Sequence, residues 1–401
     1  MIFCKSFHVI TLLTKEHRFS AYLLGFDRDE KFCTIEFEGD HSLKGKLNIQ
    51  QIADQTGLSI STVSRVLAGK SNTSIQARQR VLTCAKSQGT LSGLSTGRLM
   101  LNNIVLFAPA RAFDVRSDIF YYKLIQGILA ATAQHEVRVR YYAMEEENAD
   151  AALFMAKISD PLTDAVLLVG IDDAHIHQLA ADVGKPCVLV NCQDRLMRHD
   201  SVSPDHQSMG DFACDYLFSQ GHQHIVTLQC LRRQTMELRL NGIKNAFTRN
   251  HQTFRDSQHL LSTSGFGAQE AEQTLLDYFD RLAPDAALPS AILAGGDFMA
   301  AGAVAALRKR GLSVPRDLSV MSTDGFNLAE IHDVSLTAVK VPRDEIGTEA
   351  IALLQRRIFR PDAPFTTQLL QGKLVVRESV RKAGARPVAL RQHQLYDPQS
   401  L

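Results

Sequence analysis

The sequence predicts a small all-α helix-turn-helix domain followed by a larger α/β region that forms two lobes, each built on an open parallel sheet. Three observations favour this fold class. Residues 48–68 hold two short amphipathic segments around a glycine-containing turn. From residue 104 onward, short apolar runs alternate with helical segments. This alternation occurs in two successive series, which predicts two subdomains around a cleft.

The first of these features runs from Asn48 to Ala68. Asn48 is a suitable N-cap for the first helix. Gly57 can take a left-handed backbone in the turn, and Ser59 can cap the second helix, Ile60 to Leu67. The second helix turns one apolar set inward: Val63, Val66 and Leu67. It leaves a polar set for solvent or a ligand: Ser61, Thr62, Ser64 and Arg65. Such an arrangement can place the second helix in a DNA major groove.

A third helix completes this small domain. Ser74 can cap it, the predicted helix runs from Ile75 to Gln88, and Gly89 ends it. Val81, Leu82 and Ala85 are predicted to face the first two helices. The resulting core of about 45 residues is near the lower size limit for independent folding.

The α/β region is predicted from continuous apolar runs of the kind found in buried parallel strands. In the first series the strands are Ile104–Phe107, Val137–Tyr142, Ala165–Val169 and Cys187–Val190, with a helix from Phe120 to Gln134. In the second series the strands are Ile225–Leu228, Ala291–Leu293 and Leu318–Met321. The helices of the second series are His206–Ser219, Leu238–Phe247 and Phe298–Lys309.

The charge of the chain is distributed unevenly. Residues 44–98 carry eight cations and one anion, whereas residues 1–43 carry five cations and seven anions. A basic module on a mildly acidic body is typical of proteins that bind nucleic acid. The seven cysteines are scattered and show no CxxC or zinc spacing, which indicates buried or free thiols in a reducing cytosol.

Several functional classes fit the sequence poorly. No apolar run approaches the roughly 20 residues of a membrane span. Phe7–Leu13 is too short, and too soon followed by charged residues, for a convincing secretion signal. No HExxH motif, His/Cys cluster or nucleophile-and-base arrangement is present, so we expect neither an enzyme nor a cofactor.

The run I-A-x-x-x-G-x-S-x-x-T-V-S-R-V-L, from Ile52 to Leu67, resembles the headpiece of the lactose/galactose repressor (LacI/GalR) family. The resemblance implies a transcription regulator that reads double-stranded operator DNA as a homodimer or tetramer. Its base-facing positions correspond to Ile60, Ser61 and Arg65. We expect phosphate contacts from Ser59, Thr62, Ser64 and Lys70.

The linker that follows, residues 90–101, departs from the family pattern YxPNxxARSLxTGR. The family forms a hinge helix here whose leucine enters the minor groove, and Leu94 is the matching residue. The present stretch is about five residues shorter and contains Ser92-Gly93, and glycine weakens a helix by about 1 kcal/mol relative to alanine. A hinge helix and a flexible linker therefore both remain open.

Beyond the linker, the resemblance continues to about residue 380. It rests on four stretches in the family's order: VLVN (188–191), RLNG (239–242), GDFMAAG (296–302) and LSVMSTDGF (318–326). The family's body is similar to periplasmic sugar-binding proteins, with two α/β lobes, three crossovers and a small molecule held between the lobes. The resemblance therefore implies a periplasmic-binding-protein-like effector domain.

Six residues are candidates for contacting a sugar-like effector: Ser117, Asp118, Phe120, Arg239, Asp297 and Asp324. Arg239 and Asp324 match effector-contacting positions of the family, and Arg239 is expected just before the helix that carries Gly242. Asp297 and Asp324 follow predicted strands, where ligands of open α/β sheets bind. Asp297 stands in a motif that often reads Asn-Asp but here reads Gly296-Asp297, and a helix N-cap or a loop-exposed charge is an equal alternative for it.

These observations divide the chain into five parts: an N-terminal extension (1–45), the helix-turn-helix domain (46–89), the linker (90–101), a two-lobed effector-binding and dimerisation domain (102–385) and a C-terminal tail (386–401). The extension fits nothing that follows; it alternates weakly and could form a short hairpin. We interpret it as a poorly ordered appendage or an upstream mis-start of translation. We expect a cytoplasmic, nucleoid-associated repressor controlled by a small molecule; the alternative is a solute-binding receptor with the same two lobes.

Overall fold

The computed structural model describes residues 7–15, 18–26, 32–36, 49–68, 73–87, 99, 101–114, 118–133, 135, 137–283, 286–326 and 335–384. Within the extension, strands β1 (Phe7–Lys15), β2 (Arg18–Phe26) and β3 (Phe32–Glu36) form an antiparallel sheet in that order. The predicted N-cap Asn48, the end of the third helix at Gly89, nearly all of the linker and the tail lie outside the described residues.

The headpiece, residues 49–87, has the three predicted helices. They are α1 (Ile49–Thr56), α2 (Ile60–Leu67) and α3 (Ile75–Ser87). Gly57 has the left-handed backbone that the turn requires, with φ of 64°. Its core consists of Ile52, Ala53, Val63, Val66, Leu67, Val81 and Ala85. At α3, the Ala77 amide donates a 3.2 Å hydrogen bond to Ser74 Oγ, which confirms the predicted cap.

The N-lobe is built on a six-stranded, all-parallel sheet in the order β14-β8-β7-β6-β4-β5. Its strands are β4 (Asn103–Ala108), β5 (Arg138–Ala143), β6 (Ala165–Val169), β7 (Cys187–Val190), β8 (Asp200–Pro204) and β14 (Thr367–Leu370). Its helices are α4 (Ile119–Thr132), α5 (Ala151–Ile158), α6 (Ala174–Val183) and α12 (Arg343–Phe359).

The C-lobe is a second six-stranded sheet in the order β10-β9-β11-β12-β13-β15, parallel except for the β13–β15 pair. Its strands are β9 (Ile225–Gln229), β10 (Leu260–Ser262), β11 (Ala291–Ala294), β12 (Ser319–Ser322), β13 (Thr337–Lys340) and β15 (Lys373–Val375). Its helices are α7 (His206–Ser219), α8 (Gln234–Arg249), α9 (Asp256–His259), α10 (Ala268–Asp280) and α11 (Asp297–Lys309).

The chain passes between the lobes three times, from β8 to α7, from β13 to α12 and from β14 to β15. The predicted architecture of two open sheets joined by three crossovers is therefore confirmed. His222 lies between α7 and β9, where its ring bonds Ser290 Oγ and the Arg381 carbonyl, both at 3.0 Å. No helix among the described residues is both long and apolar enough to cross a membrane.

Each lobe contains one closely packed pair of helices, and each pair depends on glycine at the contact. In the C-lobe, a Cβ on Gly242 of α8 would lie 1.9 Å from the Gln207 carbonyl oxygen of α7. In the N-lobe, a Cβ on Gly347 of α12 would lie 2.5 Å from the carbonyl carbon of Gly127 in α4. The backbones of these helices are therefore in direct contact, which leaves little freedom for one helix to move without its partner.

Candidate functional site

The first candidate surface is the outer face of α2. Ser59 caps the helix by accepting the Thr62 amide at 3.2 Å, and its hydroxyl lies 3.0 Å from that of Ser61. Ile60 is an exposed apolar residue at the start of α2, with 51 % of its surface accessible. Arg65 is also exposed, and its guanidinium has no ion-pair partner in the part of the chain that the structure describes.

The predicted DNA-reading residues thus divide into two groups. The structure brings together Ser59, Ile60, Ser61, Thr62, Ser64 and Arg65 on the side of α2 opposite the headpiece core. Lys70 and Leu94 lie outside the described residues. The first group forms an open polar surface with one apolar residue and one unpaired cation, a composition suited to phosphates and base edges.

The second candidate site is a cavity of about 510 Å³ between the lobes. Residues from both lobes line it, and they lie at or beyond the carboxyl ends of the sheet strands. Of the predicted effector residues, the lining includes Asp118, Phe120, Arg239, Asp297 and Asp324. Ser117 lies outside the described residues. The cavity has the volume and position expected of a small-molecule site in an open α/β fold.

Arg239 is the centre of the cavity's C-lobe wall. The prediction that it lies just before its helix is wrong: it is the sixth residue of α8 and is 1 % exposed. Its guanidinium donates to Thr323 Oγ1 at 2.8 Å, to His206 Nδ1 at 2.9 Å and to the Gly295 carbonyl. The Asp324 carboxylate lies 3.6 Å away. A buried arginine held on several sides presents a fixed array of donors.

His206 connects Arg239 to the other lobe. Because Nδ1 accepts from Arg239, the proton of the neutral ring is on Nε2, which donates to Asn191 Oδ1 at 2.8 Å. Asn191 in turn donates to the Tyr121 hydroxyl at 2.8 Å. Complete burial and the nearby Arg239 charge hold the pKa of His206 well below its usual range. A continuous set of hydrogen bonds therefore crosses from the C-lobe to the N-lobe along the cavity wall.

Asp297 is neither a side-chain helix cap nor an exposed charge. It is the first residue of α11, 1 % exposed, and its Oδ1 accepts from the Ser322 hydroxyl and, at 3.2 Å, from the Gly325 amide. Its Oδ2 is buried, with no hydrogen-bond partner among the described residues. Burial and the nearby Asp324 charge raise the pKa of Asp297 to about 7.

Gly296 explains how this wall differs from the family motif. A Cβ at this position would lie 2.6 Å from Asp324 Oδ2. The Asp324 carboxylate therefore occupies the space that a side chain at position 296 would need. An asparagine at this position would therefore require the Asp324 carboxylate to move.

The N-lobe wall is formed around Asp118. Its carboxylate caps α4 by accepting the Tyr121 amide at 3.1 Å and pairs with Arg111 at 2.9 Å. Burial raises the pKa of Asp118 to about 6, although the Arg111 charge opposes this rise. Arg111 also binds Glu146, with an Nη2–Oε1 distance of 2.6 Å. Phe120, next along α4, is half-buried and meets the Tyr121 ring edge to face.

Two arginines of the C-lobe, which the sequence analysis did not single out, form hydrogen bonds across the cleft to the N-lobe. Arg233, just before α8, donates to Asp172 at 2.7 Å and to the Asn191 carbonyl at 2.8 Å, both in the N-lobe. The exposed Arg232 reaches Glu146 of the N-lobe at 3.0 Å. These contacts join residues 42 to 86 positions apart, so no local sequence signal reveals them.

Comparison with known proteins identifies the domains that carry the two candidate sites. Residues 48–89 match the family described as bacterial regulatory proteins of the lacI family, and residues 214–380 match the periplasmic binding protein-like domain. The chain belongs to the LacI family. It is therefore a DNA-binding transcriptional regulator with an effector-binding body and is not an enzyme. The headpiece match excludes the alternative of a solute-binding receptor without DNA regulation.

Relatives of similar length support this assignment. The chain is 27 % identical over 340 residues to the HTH-type transcriptional repressor CytR of Escherichia coli K12, covering 83 % of this chain and 96 % of CytR. It is 25 % identical over 352 residues to the ribose operon repressor of Haemophilus influenzae, covering 83 % and 98 %. In fold it is similar to the transcriptional regulator CelR–cellobiose complex, with a TM-score of 0.62, 23 % identity and coverage of 83 % and 99 %.

Proposed function

We propose that this regulator is a cytoplasmic repressor that works on nucleoid DNA as a homodimer, and that a small neutral polyol, such as a sugar or sugar derivative, controls its operator affinity from the cleft. The observation that carries the proposal is the cavity itself, which is lined by both lobes. Three crossovers join these lobes, and the same chain carries the exposed helix α2. A ligand bound there contacts both lobes at once and so favours one lobe arrangement over another.

The charges of the cavity favour a neutral, hydroxyl-rich ligand. Its lining holds four arginines (Arg111, Arg232, Arg233, Arg239) and four acids (Asp118, Glu270, Asp297, Asp324). Because basic and acidic side chains are equal in number and several are already paired, the cavity presents no large excess of either charge. It offers donors and acceptors at fixed positions, which match the hydroxyl groups of a polyol.

Aromatic side chains support the same ligand class. Phe120, Phe266, Phe298 and Phe326 line the cavity together with Tyr121. The apolar face of a sugar ring packs against such side chains, while its hydroxyls reach the charged groups. CytR and the ribose operon repressor are repressors by name, and CelR was solved with cellobiose, so a related ligand class fits this chain.

On the DNA, we assign roles by chemistry. Arg65 contacts a guanine edge or a phosphate, and Ile60 contacts a thymine methyl group. Ser59, Ser61, Thr62, Ser64, Lys70 and Leu94 complete the interface that the family pattern implies. A single headpiece provides few contacts, so two headpieces on a symmetric dimer read a near-palindromic operator.

The experiment that tests this function has two parts on the full chain. A thermal-shift screen of monosaccharides, disaccharides, polyols and nucleosides should find a ligand that raises the melting temperature. Selection from random duplexes should find a near-palindromic operator. We then expect the ligand to change operator affinity by about tenfold, which is within the usual range of coupling between two sites. A stabilising ligand that leaves affinity for the selected operator unchanged would contradict the proposal.

A further inference from the structure

We infer that the base of the N-lobe is a docking surface for the chain's own headpiece, and that helix α12 connects this surface to the cleft. The surface consists of Asp164, which precedes β6, and Phe359, the last residue of α12. Both lie at the end of the N-lobe opposite the cleft. The inference rests on the proposed function only in taking the cleft as the effector site.

The polar half of the surface is an ion pair between the two domains. Arg78 of α3 donates from Nη1 to Asp164 Oδ2 at 3.3 Å, and its side chain is only 13 % exposed. The same oxygen accepts the backbone amides of Asn102 at 2.8 Å and Asn103 at 2.9 Å. The body therefore positions this carboxylate by itself, and the headpiece contributes the third donor.

The apolar half is Phe359. Its half-buried side chain packs against the core of the headpiece rather than against a core of the lobe that carries it. Leu82 and Cys84 of α3 pack against the same cluster. The ion pair and this ring together hold α3, while Ile60 and Arg65 of α2 stay exposed. A docked headpiece can therefore still bind DNA through α2. The docking contacts fix the orientation of α2 relative to the N-lobe.

The other end of α12 lies at the cleft. Arg343, its first residue, donates to the Asp324 carbonyl at 2.8 Å and lies over the Phe326 ring, 3.4 Å from the centroid. Asp324 and Phe326 both line the cavity. A helix of 17 residues spans about 25 Å, so one rigid element reaches from the effector cavity to the headpiece dock.

Close packing makes α12 move with the cleft. Its contact with α4 through Gly347 and Gly127 leaves no space between the two backbones. Asp118, the cap of α4, lies in the cavity wall. A ligand that shifts Asp118 or the loop of Asp324 therefore acts on both helices of this pair. Packed helices of this kind shift as units of about 1–2 Å.

Hydrogen exchange of the full chain, measured by mass spectrometry without DNA or small molecules, tests the dock. In Phe359→Ala and in Asp164→Asn, we expect α3 amides (75–87) to exchange about threefold faster or more, since a freed element opens more readily. Asparagine keeps an oxygen for the two backbone amides but loses the charge. The matched control is Arg360→Ala, which removes the exposed neighbouring side chain and should leave α3 unchanged.

The α12 amides report whether each variant is folded. If those amides keep their native protection and α3 exchanges at the native rate in both variants, the dock is refuted. Arg343→Gln, at the far end, should also speed exchange in α3; if it does not, the connection through α12 is refuted. Because neither operator nor ligand is used, these outcomes are independent of the ligand screen that tests the proposed function.

Discussion

Replacing Gly242 with alanine tests how the C-lobe wall of the cleft is built. The new Cβ would lie 1.9 Å from the Gln207 carbonyl oxygen and 2.8 Å from the Asp211 amide nitrogen. Since ordinary contacts need about 3.5 Å, α7 and α8 must separate by roughly 1.5 Å. The atoms met are backbone atoms, so no side chain can rotate away.

Overpacking of this kind costs about 3 kcal/mol, and the better helix propensity of alanine offsets about 1 kcal/mol of it. We therefore expect Gly242→Ala to lower the free energy of unfolding by about 2 kcal/mol and Tm by about 5 °C. The chain has no tryptophan, so melting should be followed by far-ultraviolet circular dichroism. The same separation should break the 2.9 Å bond between His206 and Arg239.

Gly184→Ala is the matched control. Its backbone is left-handed, with φ of 69°, but no atom lies within 4 Å of the Cβ position. It should therefore cost only backbone strain, about 1 kcal/mol, and should not alter ligand binding in the cleft. A Gly242→Ala protein that melts within about 1 °C of the native protein would refute the packing argument.

Three further predictions concern the two sites. Arg65→Ala should lose about 1–3 kcal/mol of affinity for the selected operator in a gel shift, while circular dichroism shows an intact fold; unchanged affinity would reject Arg65 as a reading residue. Asp324→Ala should bind operator normally but no longer respond to the cleft ligand, measured by fluorescence anisotropy with and without that ligand. Asp297 has a folded pKa raised to about 7, so its contribution to stability is full below its unfolded pKa near 3.8 and is lost as pH rises toward 7. Asp297→Asn should therefore gain stability relative to the native protein between pH 4 and pH 7 in thermal melts, and parallel pH profiles of the two proteins would contradict the assignment.

The elements that the sequence predicted well are those with local signals. The predicted α2, from Ile60 to Leu67, agrees with the structure at both ends because Ser59 caps it and its apolar face is regular. Strands β6 and β7 also agree residue for residue, since each is a continuous apolar run between turns. Such signals are contained within a few neighbouring residues, so they can be read before the fold is known.

Strand β8 shows why other elements were missed. Its sequence, Asp-Ser-Val-Ser-Pro, has the composition of a turn, yet every residue of it is buried. Asp200 can be buried there because Arg357 donates to it at 2.8 Å and the Thr366 amide at 2.9 Å. These partners are more than 150 residues away in the chain. A polar strand is stabilised here by tertiary contacts that no local pattern contains.

The cleft shows the same division. Asp297 and Asp324 could be predicted because each follows a strand, and strand ends meet at the cleft. Arg233 and Asp172 could not, since their 2.7 Å bond exists only when two lobes face one another. The hydrogen bond between His206 and Asn191 likewise joins one residue from each lobe. Family resemblance supplied candidate positions, whereas the pairing between them required the folded chain.

We expect occupancy of the cleft to change the affinity of the headpiece for DNA. The most direct test is a titration of the selected operator with the full chain, with and without the ligand found by thermal shift, in native protein and in Asp324→Ala. We expect about a tenfold change of Kd in the native protein and none in the variant. Equal Kd values in the native protein with the ligand bound, or a change that persists in Asp324→Ala, would contradict the account.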